Sequence, residues 1–339
     1  MKRELLWSVV AGAALLLWVA IAIGLFVAAP ILRGDPAGSP AVLIDVTNGS
    51  TLKSVANDLH EKGIVQHQSI FERFAILAGF DRQIRAGEYE FVAGESYRDI
   101  LTRLRGGDIV QIRVTIPEGR TNLEISKVFK RRMSIDPDEF LALTFDDSLI
   151  KRWAIEAPSL EGYLFPDTYH FPSKFTPRQV IETLLSRFFT VWTPEHEERA
   201  RAVGMTRGEI LTLASIVEGE ALLDSETRRI SAVYHNRLER KMRLQADPTV
   251  AYALGGVRRR LYYKDLRVDS PYNTYRNTGL PPGPICNPGQ VAIEAALDPL
   301  QGTEEIYFVA ARDGSGGHVF TRTLRDHINA KNKAKKRRR

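Results

Sequence analysis

Thr206-Arg207-Gly208-Glu209-Ile210-Leu211-Thr212-Leu213-Ala214-Ser215-Ile216-Val217-Glu218-Gly219-Glu220 decides how this chain is read. Thr206-x-x-Glu209 is a capping box, which predicts that a helix starts there. Ile210, Leu213, Ala214 and Val217 recur at i, i+3, i+4 and i+7, the spacing of a core-facing stripe. At 100° per residue Glu218 projects inside that apolar arc, between Ala214 and Leu211, and Glu220 falls just outside it. A carboxyl held against apolar surface loses solvation, which favours its protonated form. That property suits a proton donor working near neutral pH. The plainer alternative is a salt-bridged glutamate at a helix edge, and the wheel alone does not separate the two. Gly219 in the helix interior costs about 1 kcal/mol relative to alanine; it either permits close approach of a sugar or is only a tolerated residue.

The segments after this helix are polar and aromatic. Asp224 or Ser225 can cap a helix running through Ile230, Val233, Tyr234 and Leu238, with Asn236 and Arg237 as polar interruptions. In Leu244-Gln245-Ala246-Asp247-Pro248-Thr249-Val250-Ala251-Tyr252, Asp247 as N-cap and Pro248 at N1 predict another helix start. That explanation leaves Gln245 and Tyr252 unused. Ser270-Pro271-Tyr272-Asn273-Thr274-Tyr275 leads into Thr278-Gly279-Leu280-Pro281-Pro282-Gly283-Pro284-Ile285, a rigid loop suited to lining a groove. Asn287-Pro288-Gly289-Gln290 opens a further helix. Residues 306–310 and 318–321 flank Asp313-Gly314-Ser315-Gly316-Gly317, a hairpin signal.

Toward the N-terminus, Leu5 to Ala29 holds no charged residue and is long enough to cross a hydrocarbon core of roughly 30 Å. Lys2 and Arg3 precede it, which predicts a single-pass anchor with a cytoplasmic N-terminus and the remainder exported. The apolar run exceeds the usual core of a cleavable signal peptide. A linker rich in Gly and Pro follows over residues 34–40. The next region reads as a small α/β unit: a strand at Val42–Val46, a helix at Ser50–Leu59 and a helix at Ile70–Ala78. A strand at Ala86–Phe91, a helix at Ser96–Arg105 and a strand at Ile109–Ile116, ended by Pro117-Glu118-Gly119, complete it. A helical stretch is expected from Asn122 to Leu143, then an aromatic, turn-rich segment from Ser159 to Tyr169.

The 339 residues are 44% hydrophobic and 26% charged, which places the chain among folded proteins. The net charge of +6 admits an acidic partner, but seven basic residues are concentrated in Lys331–Arg339, which reads as a solvated, disordered tail. The lone Cys286 excludes an intramolecular disulfide and a CxxC zinc site, and the seven histidines form neither HxxxH nor HxH. No metal and no cofactor are expected. A nucleic-acid binder using Arg258-Arg259-Arg260 and the basic tail would need those charges in the cytoplasm, and the expected topology exports them.

Ala214-Ser215-Ile216-Val217-Glu218, Asn236-Arg237-Leu238, Leu244 to Val250, Tyr272-Asn273-Thr274-Tyr275, Gly279 to Ile285 and the Asp313 to Phe320 hairpin occur in one order. Together they resemble the YceG-like family of endolytic murein transglycosylases, and the resemblance covers essentially the whole region after the anchor. It implies an α+β fold: a single N-terminal transmembrane helix (1–33), a linker (34–40) and a small LysM-like α/β domain (41–117). A larger mixed α/β catalytic domain (118–330) and the basic tail (331–339) follow. The implied activity is lytic cleavage of the β-1,4 bond between N-acetylmuramic acid and N-acetylglucosamine in nascent peptidoglycan. The new ends would be 1,6-anhydromuramoyl residues, and strand elongation would stop there. The family's catalytic glutamate falls on Glu218, as acid and then base, so no second carboxylate at hydrolase spacing is required. Gln245, Tyr252, Asn273, Thr274 and Tyr275 are the residues expected to bind substrate. Glycan strands and the inner membrane are the implied partners, with penicillin-binding proteins or other cell-wall synthases as candidates, and no nucleic acid. Two positions depart from the family pattern: Gly219 stands where a longer, often basic residue is usual, and His235 replaces an aromatic or aliphatic one. The rivals are a glycan-binding protein without activity and a hydrolase in which water attacks in place of the muramoyl C6 hydroxyl.

Overall fold

The computed structural model describes residues 15–21, 24, 28, 31, 40–80, 83–256 and 261–336. They form a mixed α and β fold that separates into two compact units. One runs through Ile112 and includes Phe171–Lys174; the other holds Arg113–His170 and everything from Phe175.

In the first unit, strand β1 (Ala41–Val46) pairs antiparallel with β2 (Gly87–Val92), with Ile44 opposite Tyr89. Two helices, Leu52–Glu61 and Gln68–Leu77, lie between them in sequence, and Tyr97–Gly106 follows. Thr51 and Ser96 cap the first and third helices through their hydroxyls. The alternation of β1 and β2 puts Ile44, Val46, Tyr89 and Phe91 inward, onto Val55, Leu59, Phe71, Ile100 and Leu104. Phe71 and Tyr97 meet edge to face with ring centres 5.3 Å apart. Burial of each such side chain is worth roughly 1.5–3 kcal/mol, and this small unit rests on that cluster.

In the second unit the helix Arg207–Glu220 is central. Its capping box is formed as expected, with Glu209 N–H donating to Thr206 Oγ1 and Thr206 N–H to Glu209 Oε2 at 2.8 Å. Every residue from Ile210 to Val217 is buried. The helix is therefore enclosed, where a single stripe predicts an amphipathic one. It packs against helices Gln290–Leu297, Asp224–Glu239, Asp247–Ala253 and Pro194–Ala202. Strand β3 (Gln111–Thr115) pairs with β4 (Thr168–Pro172). The hairpin β5 (Tyr307–Ala310) with β6 (His318–Thr321) closes through the Asp313 turn, where Asp313 Oδ1 accepts from Ser315 N–H at 3.1 Å. Helix Leu324–Lys336 packs on that hairpin.

Four expectations need correction. The membrane anchor over Leu5–Ala29, and with it the single-pass inner-membrane placement, is not supported, because among the described residues no helix is long and apolar enough to cross a membrane. Within that stretch the continuous described helix is Leu15–Ile21, about 10 Å of rise against a core of roughly 30 Å. The rest of the expected anchor, residues 24 and 28 apart, lies outside the described residues. The basic tail is helical through Lys336 rather than disordered from Lys331, because the C-terminal helix continues into it; residues 337–339 lie outside the description. The expected helix over Asn122–Leu143 breaks in two at Ser134, which is left-handed (φ 57°), and Asp136 caps the second piece with Pro137 behind it. Asp247 does not cap its helix: Ala246 holds the cap position and Asp247 begins the first turn.

Candidate active site

Glu218 lies in the last turn of the enclosed helix, and two loops fasten around it. Ser215, one turn earlier, accepts the Ile285 N–H at its hydroxyl (3.0 Å), and Cys286 Sγ lies 3.5 Å from the Ser215 carbonyl. The chain then passes Asn287 to Gly289, whose N–H donates to Glu218 Oε2 at 3.1 Å. From the other side Gly119, left-handed at φ 71°, presents its Cα; a Cβ there would stand 3.4 Å from Glu218 Cγ. Glu218 is half-buried, and burial pushes its carboxyl above the usual range, with the nearby Glu118 and Asp224 charges adding to the rise and the Gly289 N–H opposing it.

Asn287, fully buried, ties these loops together. Its N–H donates to the Arg120 carbonyl at 2.9 Å and its carbonyl accepts from Gly119 N–H at 2.9 Å. Its Oδ1 accepts from Leu164 N–H at 2.8 Å. Its Nδ2 reaches Arg120 O, Asn122 Oδ1 and Glu161 Oε1. Glu161 is itself buried, accepts the Asn122 N–H at 2.9 Å and lies 3.4 Å from the Tyr252 hydroxyl. Burial raises its pKa to about 8, partly offset by the Asn122 N–H and the Tyr252 hydroxyl. At neutral pH this carboxyl is mainly protonated, which avoids the several kcal/mol that an unpaired buried anion costs.

A cleft of about 580 Å³ has Gly119, Ser215, Gly219, Glu220, Asp247 and Tyr252 among its walls; Glu218 adjoins Gly119 and Gly219 of this lining without being part of it. A second, of about 540 Å³, shares Glu220 and Asp247 with the first and is lined also by Gln245, Tyr275 and Tyr307. Glu220 accepts from the Tyr234 hydroxyl at 3.2 Å, and burial together with the Asp247 charge raises its pKa to about 7. Asp247 Oδ1 accepts from the Tyr275 hydroxyl at 2.6 Å. Among the described residues no group of three or more His, Cys, Asp and Glu could hold a metal ion.

The five residues expected to bind substrate divide. Tyr252 lines the first cleft and packs against Tyr272 at 4.9 Å. Gln245 and Tyr275 line the second. Gln245 is left-handed (φ 49°), held there by its N–H on Thr274 O and by Ala246 N–H on Thr274 Oγ1. Asn273 and Thr274 are buried and spend their polar atoms inside the fold. Asn273 donates to Leu266 O and Val268 O and accepts from Tyr275 N–H, and Thr274 meets the Thr249 hydroxyl at 2.9 Å. Gly219 has a packing reason: a Cβ there would fall 2.8 Å from Pro248 Cβ, so the glycine admits the helix Asp247–Ala253. His235 Nε2 donates to the Ala296 carbonyl oxygen at 2.9 Å, and the residue lines neither cleft. The Glu118–Arg120 turn, Glu161 and Asn287 are contributors that sequence reasoning missed, because contacts separated by a hundred residues leave no local pattern.

A model of the YceG-like family matches residues 44–333. The chain belongs to the YceG-like family. This YceG-like chain is similar to the endolytic murein transglycosylase of Bacillus subtilis (strain 168), 33% identical over 307 residues, which cover 86% of this chain and 84% of that one. It is 28% identical to the endolytic murein transglycosylase of Streptococcus pneumoniae (strain D39), over 89% of its own length and 61% of the relative's. A crystal structure of a YceG-like protein from Listeria monocytogenes superimposes with a TM-score of 0.60 at 32% identity, covering 86% of this chain and 99% of that one.

Proposed function

We propose that this YceG-like chain cleaves glycan strands of peptidoglycan internally as a lytic transglycosylase, with Glu218 serving first as acid and then as base. The endolytic murein transglycosylase activity follows from the family and from relatives of that name. The observation that carries the mechanism is the Glu218 carboxyl itself, half-buried, raised toward its protonated form, and held between Gly119 and the Gly289 N–H, with Gly119 and Gly219 beside it lining a cleft.

In the first step the protonated carboxyl gives its proton to the glycosidic oxygen as the bond to the muramoyl C1 breaks. In the second, the ionised carboxylate takes the proton of the C6 hydroxyl as that oxygen bonds to C1, closing the 1,6-anhydro ring. The proton returns to Glu218 and the group is ready again. The Gly289 N–H stabilises the anion that Glu218 becomes between the two steps. The bond between N-acetylmuramic acid and N-acetylglucosamine is the one this chemistry requires, because only there does the C6 hydroxyl of a muramoyl residue displace the leaving sugar. The β–α–α–β order of the first unit supports a LysM-like, glycan-holding role as part of the same reading.

The test is to weigh the products of wild-type digestion of uncrosslinked glycan strands. Anhydromuramoyl ends are expected. Reducing muramic ends, heavier by one water, would make the chain a hydrolase.

A further inference from the structure

The acid/base reading leaves unused a second carboxylate that the fold places beside Glu218 with some care. Glu118 follows β3 in the turn Pro117-Glu118-Gly119, and the turn is clamped to residues 287–289 by the paired Arg120 and Asn287 backbones. Gly289 has φ −77°, a conformation open to any residue, so its backbone does not call for glycine. Space does. A Cβ at Gly289 would stand 1.9 Å from Glu118 Oε1 and 2.0 Å from its Cδ, so the Glu118 carboxyl group lies directly over the Gly289 Cα. The same residue's N–H holds Glu218 Oε2. Two carboxyl groups therefore converge on one glycine, one over its Cα and the other on its nitrogen.

The charges around Glu218 do not cancel this arrangement. Asp224, at the start of the following helix, acts in the same direction as Glu118, and the buried Cys286 thiol feels the Glu218 charge from the 285–289 side. On the Gly119 side, Arg120 is paired with Glu124 at 3.0 Å. Among the described residues no ion pair is formed by Glu118 or by Glu218 with a Lys, Arg or His. Resting on the acid/base reading, we infer that Glu118 is a positioning residue for Glu218, a negative charge seated against Gly289 that favours the proton-bearing form needed for the first step. Its exposure to solvent tempers the effect and makes it sensitive to salt. Like charges at fixed short range disfavour joint ionisation.

The test is the pH dependence of kcat/KM on uncrosslinked glycan strands for the full chain and for Glu118→Gln, Glu118→Asp and Gly289→Ala. The alkaline limb reports loss of the Glu218 proton in the free enzyme. In Glu118→Gln it moves down by about half to one pH unit at low salt, and the gap to wild type narrows in about 0.5 M salt. Glu118→Asp keeps most of the wild-type position. Gly289→Ala, which drives the carboxyl off its seat, moves the limb the same way as Glu118→Gln. A uniform fall in rate at all pH values with the limb unmoved would reduce Glu118 to a structural residue and overturn the inference. Unimpaired turnover by Glu218→Gln would instead remove the reading on which it rests, and the two failures are distinguishable.

Discussion

Replacing Glu161 by glutamine should make the protein more stable at alkaline pH, although it alters a buried residue that accepts from Asn122, Asn287 and Tyr252. The carboxyl titrates near its ordinary value of 4.5 in the unfolded chain and at about 8 in the fold, mainly because burial opposes its charge. Between those values the native state holds a proton that the unfolded state has released. Stability therefore declines as pH rises through the window, while below about 4.5 the contribution is complete. Three and a half units at about 1.4 kcal/mol each set an upper limit on the order of 5 kcal/mol, which relaxation and water entry will reduce. Glutamine keeps the acceptor oxygen for Asn122 and Asn287, turns an N–H toward the Tyr252 hydroxyl, which then accepts, and never ionises. Glu220, raised to about 7, titrates in both proteins and cancels in the difference. Urea unfolding of the full chain at pH 5 and pH 8 should show wild type losing several kcal/mol more than Glu161→Gln. Parallel losses would refute the argument that Glu161 is buried as the neutral acid.

Gly219→Ala should lower the melting temperature despite the usual helix gain of about 1 kcal/mol, because the added methyl would meet Pro248 Cβ at 2.8 Å; overpacking of this kind costs roughly 1–3 kcal/mol. Asn273→Ala should destabilise by a similar amount, since it leaves the Leu266 and Val268 carbonyls and the Tyr275 N–H without their partner. Gln245→Ala and Tyr275→Phe, both in the second cleft, should instead raise KM on long glycan strands by about tenfold or less, the worth of one hydrogen bond. Melting curves alongside steady-state kinetics separate the two classes, and a KM unchanged in both cleft variants would detach that cleft from substrate.

Local signals carried much of the fold. The Thr206 capping box, the Asp313 hairpin and the strand and helix spacings of the first unit are short-range patterns, and the corresponding elements form within two residues or so of where they are read. Where the reading went astray, a nearby determinant was outweighed or passed over. Ser134-Ile135-Asp136-Pro137 is itself a stop and restart signal inside a stretch that looks uniformly helical. The apolar run near the N-terminus met the length criterion for an anchor, yet no described helix there is long enough to serve as one. The site was legible only in part. Glu218 stood out because a carboxyl on an apolar arc is unusual, but its surroundings come from Glu118, Gly119, Glu161, Asn287 and Gly289. These residues are brought together by backbone bridges such as Arg120 to Asn287, and no periodicity encodes such a contact. Asn273 and Thr274, polar within an aromatic loop, are buried and make hydrogen bonds that hold that loop.

The central claim is that one carboxyl group does both proton transfers. Glu218→Gln keeps the size of the side chain and its contact with the Gly289 N–H while abolishing the exchangeable proton. With purified full-length protein and uncrosslinked glycan strands, the account predicts a fall in turnover of about a thousandfold or more, with strand binding and melting temperature close to wild type. Anhydromuramoyl products released by Glu218→Gln at a rate near that of wild type would contradict it.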